Sequence, residues 1–165
     1  MNPIGRLRNM TSIYLTYKGK ILLLFRQGSR VVNNQWVGSA GGHFEPDELN
    51  DAYACVLREL QEELHLTPDM LEKIELRYIS LYNKPSELRQ NYYFFAELKT
   101  IENIDFTSDE GQLKWFDIEE IPTLDMPFTS FHVTRHWLKE GRHTDKFYAA
   151  ISTDHAMTFL EMKEF

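Results

Sequence analysis

One acidic stretch in the first half of the chain constrains its fold most. Two glycines, Gly41 and Gly42, lead through an acidic turn into the segment Arg58-Glu59-Leu60-Gln61-Glu62-Glu63. At about 100° per residue, the three glutamates share an arc of about 100°, beside an apolar stripe. The members of this stripe are Tyr53, Val56, Leu57, Leu60 and Leu64. The pattern therefore predicts a helix with one buried and one acidic face, whose N-cap is Asn50 or Asp51.

The acidic face of this helix is open to two interpretations. Glu59, Glu62 and Glu63 lie in its C-terminal half, where the helix dipole disfavours negative charge. Crowded carboxylates repel one another unless a cation lies between them, and such oxygen-rich clusters suit hard divalent ions such as Mg²⁺. Glutamate-rich helix faces are also commonly just solvated. The glycine pair upstream and the arginine before the first acid favour the metal site.

These residues resemble the sequence box of the Nudix hydrolases. That box is glycine, five residues, glutamate, seven residues, then Arg-Glu-apolar-any-Glu-Glu-any-Gly-apolar. Here Gly42 precedes Glu48 by the family's interval, and the string from Arg58 to Glu63 matches the second half. Nine residues rather than seven separate Glu48 from Arg58, which argues against the salt bridge that the family's spacing favours. In place of the late glycine stands His65, so the helix end lacks its easy left-handed residue.

The resemblance implies a Nudix-type α/β/α sandwich with a mixed central sheet, which the alternation of strand and helix patterns also favours. It implies a pyrophosphohydrolase that uses Mg²⁺, or alternatively Mn²⁺. The implied metal ligands are Gly41 (through its carbonyl), Glu59, Glu62, Glu63 and Glu110. The implied catalytic residues are Arg58, Glu59, Glu62 and Glu110. Of these, Glu59 or Glu110 is expected to be the general base, and Arg58 to orient the acids.

The substrate is less tightly constrained than the chemistry. Arg26 and Arg30 are candidates for binding phosphate, and Trp36 and Tyr93 could stack on a base or belong to the core. Residues 116–126 resemble the hydrolases of oxidised purine nucleoside triphosphates, which makes an 8-oxo-dGTP-like substrate, cleaved to monophosphate and pyrophosphate, the first choice. The acids with which the mammalian member of that group reads its base have no counterpart in residues 127–130.

Other functions are open within the same scaffold. ADP-ribose and dinucleoside polyphosphates are alternative substrates. His43 has a metal-binding counterpart in the isopentenyl diphosphate isomerases, but Gly41 stands where their catalytic cysteine would be. A non-catalytic regulator that binds nucleotide would be expected to have lost one or more helix acids, and all three are present.

Length and composition favour a small intracellular enzyme. The 165 residues suit a single Nudix domain spanning 1–165. A net charge of −7 argues against a nucleic-acid polymer as partner. Cys55 is the only cysteine, so no intrachain disulfide is possible, and a packing role is expected. The sequence shows neither a leader nor an apolar membrane span, which predicts a cytoplasmic protein without a membrane partner.

The remaining patterns predict further elements. Strands are expected at residues 11–17, 21–25, 74–81, 91–98 and 113–116, a helical turn at 118–121 and a second helix at 131–139. Residues 146–151 and 157–162 are expected to form a final hairpin. This apolar hairpin could close the sheet or meet a second copy, so a homodimer is possible.

Overall fold

The structure is a computed structural model that describes residues 5–28 and 34–164. Within these residues eight strands form one mixed sheet, against which two helices pack. The strands are β1 (Leu7–Tyr17), β2 (Lys20–Arg26), β3 (Gln35–Val37), β4 (Leu71–Lys84), β5 (Glu87–Leu98), β6 (Gly111–Asp117), β7 (Phe147–Ser152) and β8 (Met157–Met162). The helices are α1 (Ala52–Leu64) and α2 (Phe128–Lys139). No helix among the described residues is long and apolar enough to cross a membrane.

The order of the strands in the sheet is β3-β2-β1-β5-β4-β7-β8. Strands β1 and β3 pair with different halves of β2, and β6 pairs with β2 along its whole length. The pairs β1–β5 and β4–β7 are parallel, and the others are antiparallel. The two strands β1 and β2 are paired only near the C-terminal end of β1, from Leu15 onward. Where they separate, Ile13 N donates to Ala40 O at 2.9 Å and Thr11 N to Gly42 O at 2.8 Å. The topology thus brings the glycine pair alongside β1.

The two helices cover opposite faces of the sheet, which confirms the predicted α/β/α architecture. Helix α1 buries Val56, Leu60 and Leu64 in one apolar cluster, which includes Ile13 and Leu15 of β1. Helix α2 contributes to a second cluster on the other face, whose buried members are Tyr14, Ile21, Leu23, Tyr78, Tyr93, Phe95, Phe116, Ile121, Met126, Val133, Trp137, Leu138 and Tyr148. Because side chains alternate along a strand, consecutive residues of β1 supply both clusters.

The aromatic candidates for base stacking are core residues. Tyr93 is completely buried in the second cluster. Trp36 packs against the same cluster and meets Phe116 edge-on at 4.7 Å between ring centroids. Their size and apolar surface are used for packing.

Several predicted elements begin earlier than the sequence pattern indicated. Strand β1 begins at Leu7 rather than residue 11, since its polar first half pairs in register with β5. Helix α2 begins at Phe128 rather than residue 131, directly after Pro127, whose lack of an N–H costs nothing at a helix start. Tyr53 is half-exposed and lies at the edge of the apolar stripe, with its ring centroid 6.5 Å from that of Phe94 in the α1 cluster. The C-terminal hairpin of β7 and β8 forms as predicted.

Candidate metal and phosphate site

The acidic turn before α1 accommodates the two additional residues. After the 3-10 turn Pro46–Glu48, a second turn spans Glu48 to Asp51, in which Asp51 N donates to Glu48 O at 2.8 Å, and α1 begins at Ala52. Asp51 caps the helix, because its side chain accepts a hydrogen bond of 2.9 Å from Ala54 N. Of the two predicted caps, Asp51 is therefore the one used. The longer connection changes the turn and leaves the helix and its acids intact.

Arg58 lies at the centre of a network of carboxylates. Its Nε donates to Glu48 Oε1 at 2.6 Å and its Nη2 to Glu48 Oε2 at 3.0 Å. Its Nη1 donates to Glu59 Oε1 at 2.8 Å and to Glu62 Oε2 at 3.0 Å. The expectation that the longer spacing would disfavour the Glu48–Arg58 salt bridge was therefore wrong. The turn from Glu48 to Asp51, which lies within the longer interval, keeps Glu48 beside α1, where hydrogen bonds from Arg58 lower its pKa to about 2.

The glycine pair lies between β1 and the acids of α1. Gly41 has a φ of 151°, and a Cβ there would lie 2.2 Å from Thr11 O, so only glycine fits this position. A Cβ at Gly42 would lie 2.2 Å from Glu59 Oε1. Gly41 N donates to Glu63 Oε2 at 3.2 Å. The absence of two side chains thus lets the loop backbone touch both carboxylates.

The carboxylates that face this loop repel one another. Burial raises the pKa of Glu63 to about 8, with a further contribution from the charge of Glu110. Burial also raises the pKa of Glu59, since it outweighs the opposing effect of Arg58. Glu110 reaches the cluster from the loop before β6, and Arg26 Nη2 lies 3.5 Å from its Oε2. The structure therefore brings Glu59, Glu63 and Glu110 together beside the loop, whereas Glu62 is largely exposed and is held to Glu59 through Arg58.

These residues fit a divalent cation by their chemistry. All the donors are oxygens, and five glutamates, Glu48 included, share only Arg58 and Arg26 as cationic neighbours in the contacts above. Among residues 5–28 and 34–164, no three His, Cys, Asp or Glu side chains are already arranged to hold a metal ion. The reason is visible in the network, because Arg58 holds Glu59 and Glu62 while Glu63 turns to Gly41.

A cleft of about 410 Å³ opens beside this cluster. It runs from Gly41, Glu63 and Glu110 along the surface of β1, β5 and β4 to the turn between β7 and β8. Its lining includes four cationic side chains, Arg8, Arg26, Lys84 and Arg89. The cleft therefore offers an acidic end and basic walls, which suits a substrate with several phosphates. Of the two arginines proposed to bind phosphate, Arg26 lines the cleft, whereas Arg30 lies outside the described residues.

Sequence reasoning missed the other cations of this cleft. Arg8 and Arg89 are register partners on adjacent parallel strands and share Glu87, whose Oε1 lies 3.6 Å from Arg8 Nη1 and 2.6 Å from Arg89 Nε. They are 81 positions apart, and their position on one face follows from the pairing of β1 with β5. No motif in the sequence could have indicated it.

His43 and Cys55 have structural neighbours that account for them. Arg8 Nε donates to His43 Nε2 at 2.6 Å, and burial together with nearby arginines lowers the pKa of His43. His43 is therefore neutral and already engaged. Cys55 is buried, and burial raises its thiol pKa to about 11, which agrees with the expected packing role.

Comparison with known proteins identifies the class to which this fold and site belong. The sequence model of the NUDIX domain matches residues 6–137. The chain therefore belongs to the Nudix domain family, and it is a Nudix pyrophosphohydrolase. None of the curated proteins matches it significantly by sequence.

Solved structures show the same fold at low identity. The mutator MutT protein from Bacillus halodurans superposes with a TM-score of 0.66 at 21% identity, covering 92% of this chain and 97% of the other. An Ap4A hydrolase from C. elegans gives 0.63 at 18% identity, with coverages of 79% and 94%. The NUDIX domain of Shewanella oneidensis NrtR, solved with ADP ribose, gives 0.63 at 17% identity, with coverages of 85% and 90%.

Proposed function

We propose that this protein hydrolyses nucleoside triphosphates to a nucleoside monophosphate and pyrophosphate in the presence of Mg²⁺. An oxidised purine nucleotide such as 8-oxo-dGTP is the first candidate substrate. The observation that carries the proposal is that Glu63 and Glu110 line one end of a cleft with basic walls beside Gly41, with Glu59 next to them against Gly42. Such a site combines carboxylates for a divalent ion with cations for the phosphates beyond it.

The chain's own residues have distinct roles in this proposal. The carboxylates of Glu59, Glu62, Glu63 and Glu110, with the Gly41 carbonyl, would hold the metal ion. A divalent ion, when bound, neutralises phosphate charge and lowers the pKa of coordinated water. Glu59 or Glu110 takes the proton from the water that attacks phosphorus. Arg58 positions the acids without touching substrate, and Arg26 contributes a guanidinium to the phosphates.

Two other substrates fit the same acid cluster. ADP-ribose and dinucleoside polyphosphates also contain a diphosphate, and the structural neighbours include an Ap4A hydrolase and a NUDIX domain with ADP ribose bound. An isomerase acting on isopentenyl diphosphate is disfavoured, because Gly41, which has no thiol, occupies the position where a catalytic cysteine would be needed. A purely regulatory protein is disfavoured by the presence of all three acids on α1.

The experiment that tests the function is a product-resolved substrate screen. Purified protein with Mg²⁺ is incubated with dGTP, 8-oxo-dGTP, dATP, ADP-ribose and Ap4A, and all products are separated by ion-exchange chromatography. We expect monophosphate and pyrophosphate in equal amounts from a nucleoside triphosphate. Release of orthophosphate and a diphosphate would contradict the proposed bond cleavage, and turnover of none of these compounds would refute the proposed function.

A further inference from the structure

The end of the cleft farthest from the acids carries an oriented carboxylate that the proposed mechanism does not use. Tyr82 Oη donates to Asp154 Oδ1 at 2.9 Å, and both residues line the cleft. Tyr82 lies on β4, opposite Ser152 of β7, and Asp154 follows in the turn between β7 and β8. This exposed hydrogen bond favours one orientation of the carboxylate. An ionised aspartate can only accept hydrogen bonds, so the site selects a ligand that donates them.

An exposed aromatic ring lines the same cleft. Phe128, the first residue of α2, keeps 37% of its surface exposed and lines the cleft. Its ring meets His132 edge-on, with centroids 4.5 Å apart. A flat apolar surface together with a carboxylate suits a planar heterocycle with N–H groups at its edge better than a sugar.

The separation of the two ends of the cleft fits a nucleotide. Gly41 lies alongside β1, and the sheet order β1-β5-β4-β7 places the strand before Asp154 three spacings away. At about 4.8 Å per spacing this is about 14 Å. A diphosphate alone is too short to reach from one end to the other. A substrate with its phosphates beside Gly41 and its attached group beside Asp154 would span this distance.

We propose that Asp154, oriented by Tyr82, determines specificity by accepting hydrogen bonds from the N–H edge of a guanine base. Guanine presents two adjacent donors, the ring N1–H and the exocyclic amino group, to one carboxylate. Residues 127–130 contain no acid, so the turn between β7 and β8 supplies the acceptor instead. A ribose cis-diol also offers two adjacent donors, and the test below separates the two sources. The inference rests on the proposed function in taking the substrate to be a nucleotide.

Equilibrium binding of product-like ligands tests this inference without turnover. The dissociation constants of dGMP, dIMP and GMP are measured by isothermal titration calorimetry for the native protein, Asp154→Asn and Tyr82→Phe. Because dIMP lacks only the exocyclic amino group, we expect the native protein to bind dGMP about 10-fold more tightly or better, the usual value of a hydrogen bond to a charged group. Asp154→Asn should lower the affinity for dGMP by about 10- to 100-fold and bring the dGMP/dIMP ratio close to 1. Tyr82→Phe should weaken binding in the same direction by a smaller factor.

The matched control is Asp145→Asn, whose side chain is 95% exposed and lies outside the cleft; it should leave all three constants unchanged. Equal losses for dGMP and dIMP in Asp154→Asn, or no binding of dGMP by the native protein at millimolar concentration, would overturn the inference. So would a preference for GMP over dGMP that disappears in Asp154→Asn, because the diol would then be the group recognised. Guanine-selective binding by a protein that hydrolyses no nucleotide would refute the proposed function and retain this inference.

Discussion

At the scale of single residues, Arg58 determines how the acids of α1 are arranged. One guanidinium contacts Glu48, Glu59 and Glu62 and also the carbonyl of His43. The Glu48 side chain is only 8% exposed. Removing the arginine would leave this carboxylate buried without its partner, which is far more costly than losing a surface ion pair. The hydrogen bonds from Arg58 also determine which oxygens of Glu59 and Glu62 remain available to a metal ion.

We therefore expect Arg58→Gln to lower the free energy of unfolding by about 3 kcal/mol, measured by urea denaturation at pH 7. The matched control is Arg142→Gln, which removes an ion pair of 3.0 Å with Glu119, a largely exposed residue. That change should cost about 1 kcal/mol or less. Equal losses in the two variants would show that the Glu48 pair has no special role.

Glu63 predicts a pH dependence of stability in the absence of metal. Its pKa is raised to about 8 in the folded protein, against 4.5 for the unperturbed group. Between these values the folded state holds a proton that the unfolded state has released. The contribution of Glu63 to stability is therefore complete below about pH 4.5 and is lost as the pH rises toward 8.

The test is urea denaturation from pH 5 to pH 8 in EDTA, for the native protein and Glu63→Gln. Relative to Glu63→Gln, the native protein should lose at most about 1.4 kcal/mol per pH unit, the limit for one proton. Glu72→Gln, at an exposed position of β4 outside the acid cluster, is the control and should follow the native curve. Parallel curves for the native protein and Glu63→Gln would contradict the raised pKa.

At the scale of elements, helix α1 ends in a left-handed cap although the glycine of the family's box is replaced by His65. His65 adopts the left-handed conformation itself, with φ 56° and ψ 28°, and its N–H donates to Gln61 O at 3.0 Å. The cap is thus retained in geometry although the residue is not glycine. The left-handed conformation destabilises a residue with a Cβ by about 1–2 kcal/mol, and glycine at this position would remove part of that destabilisation.

His65→Gly should accordingly stabilise the protein by about 0.5–1 kcal/mol, measured from the shift in urea midpoint at constant m. The same type of change at the last residue of α2, Lys139→Gly, should instead destabilise by about 1 kcal/mol, because that residue is still helical. A destabilising His65→Gly would mean that the histidine side chain makes a compensating contact.

The elements themselves could largely be predicted from the sequence. Alternation and apolar runs located both helices and all the strands except β3, which is only three residues long. The Glu48–Arg58 pair could not be predicted, because a count of intervening residues does not reveal the hydrogen-bonded turn between Glu48 and Asp51. The start of β1 at Leu7 could not be predicted, because the first residues of β1 lack an apolar pattern and are held in the strand by backbone hydrogen bonds to β5.

At the scale of the whole molecule, the acidic end of the cleft could be predicted from a local sequence motif, whereas the far end could not. Glu59, Glu62 and Glu63 lie on one helix, so their proximity is a matter of helical spacing. Arg8, Arg89 and Asp154 come from three distant segments of the chain. Only the order of strands in the sheet brings them into one cleft, and this order cannot be read from any single segment.

The C-terminal hairpin, which lies beyond the part matched by the family model, is predicted to belong to the same cooperative unit. Phe159 on β8 stacks on His136 of α2 at 4.2 Å between centroids and meets Tyr78 at 5.9 Å. Phe159→Ala should lower the unfolding free energy of the entire protein by about 2–3 kcal/mol, somewhat less than for a fully buried ring. Thr158→Ala, on the exposed side of the same strand, should change it by about 0.5 kcal/mol or less.

The measurement is calorimetry together with fluorescence and circular dichroism. One transition that shifts equally for all probes is the expected result. Two separate transitions, or a shift confined to one probe, would show that the hairpin folds independently and would refute a single domain over residues 1–165.

The central claim is that the acids of α1 perform metal-dependent cleavage of a diphosphate, and Mg²⁺-dependent turnover by Glu62→Gln tests it most directly. The Glu62 side chain is 57% exposed, so its replacement should change stability by only about 0.5 kcal/mol. Pyrophosphate release from the best substrate should nevertheless fall on the order of 10²-fold or more, while Glu72→Gln, an exposed residue on β4, should match the native protein. Unchanged turnover in Glu62→Gln would contradict the assignment of the site to α1.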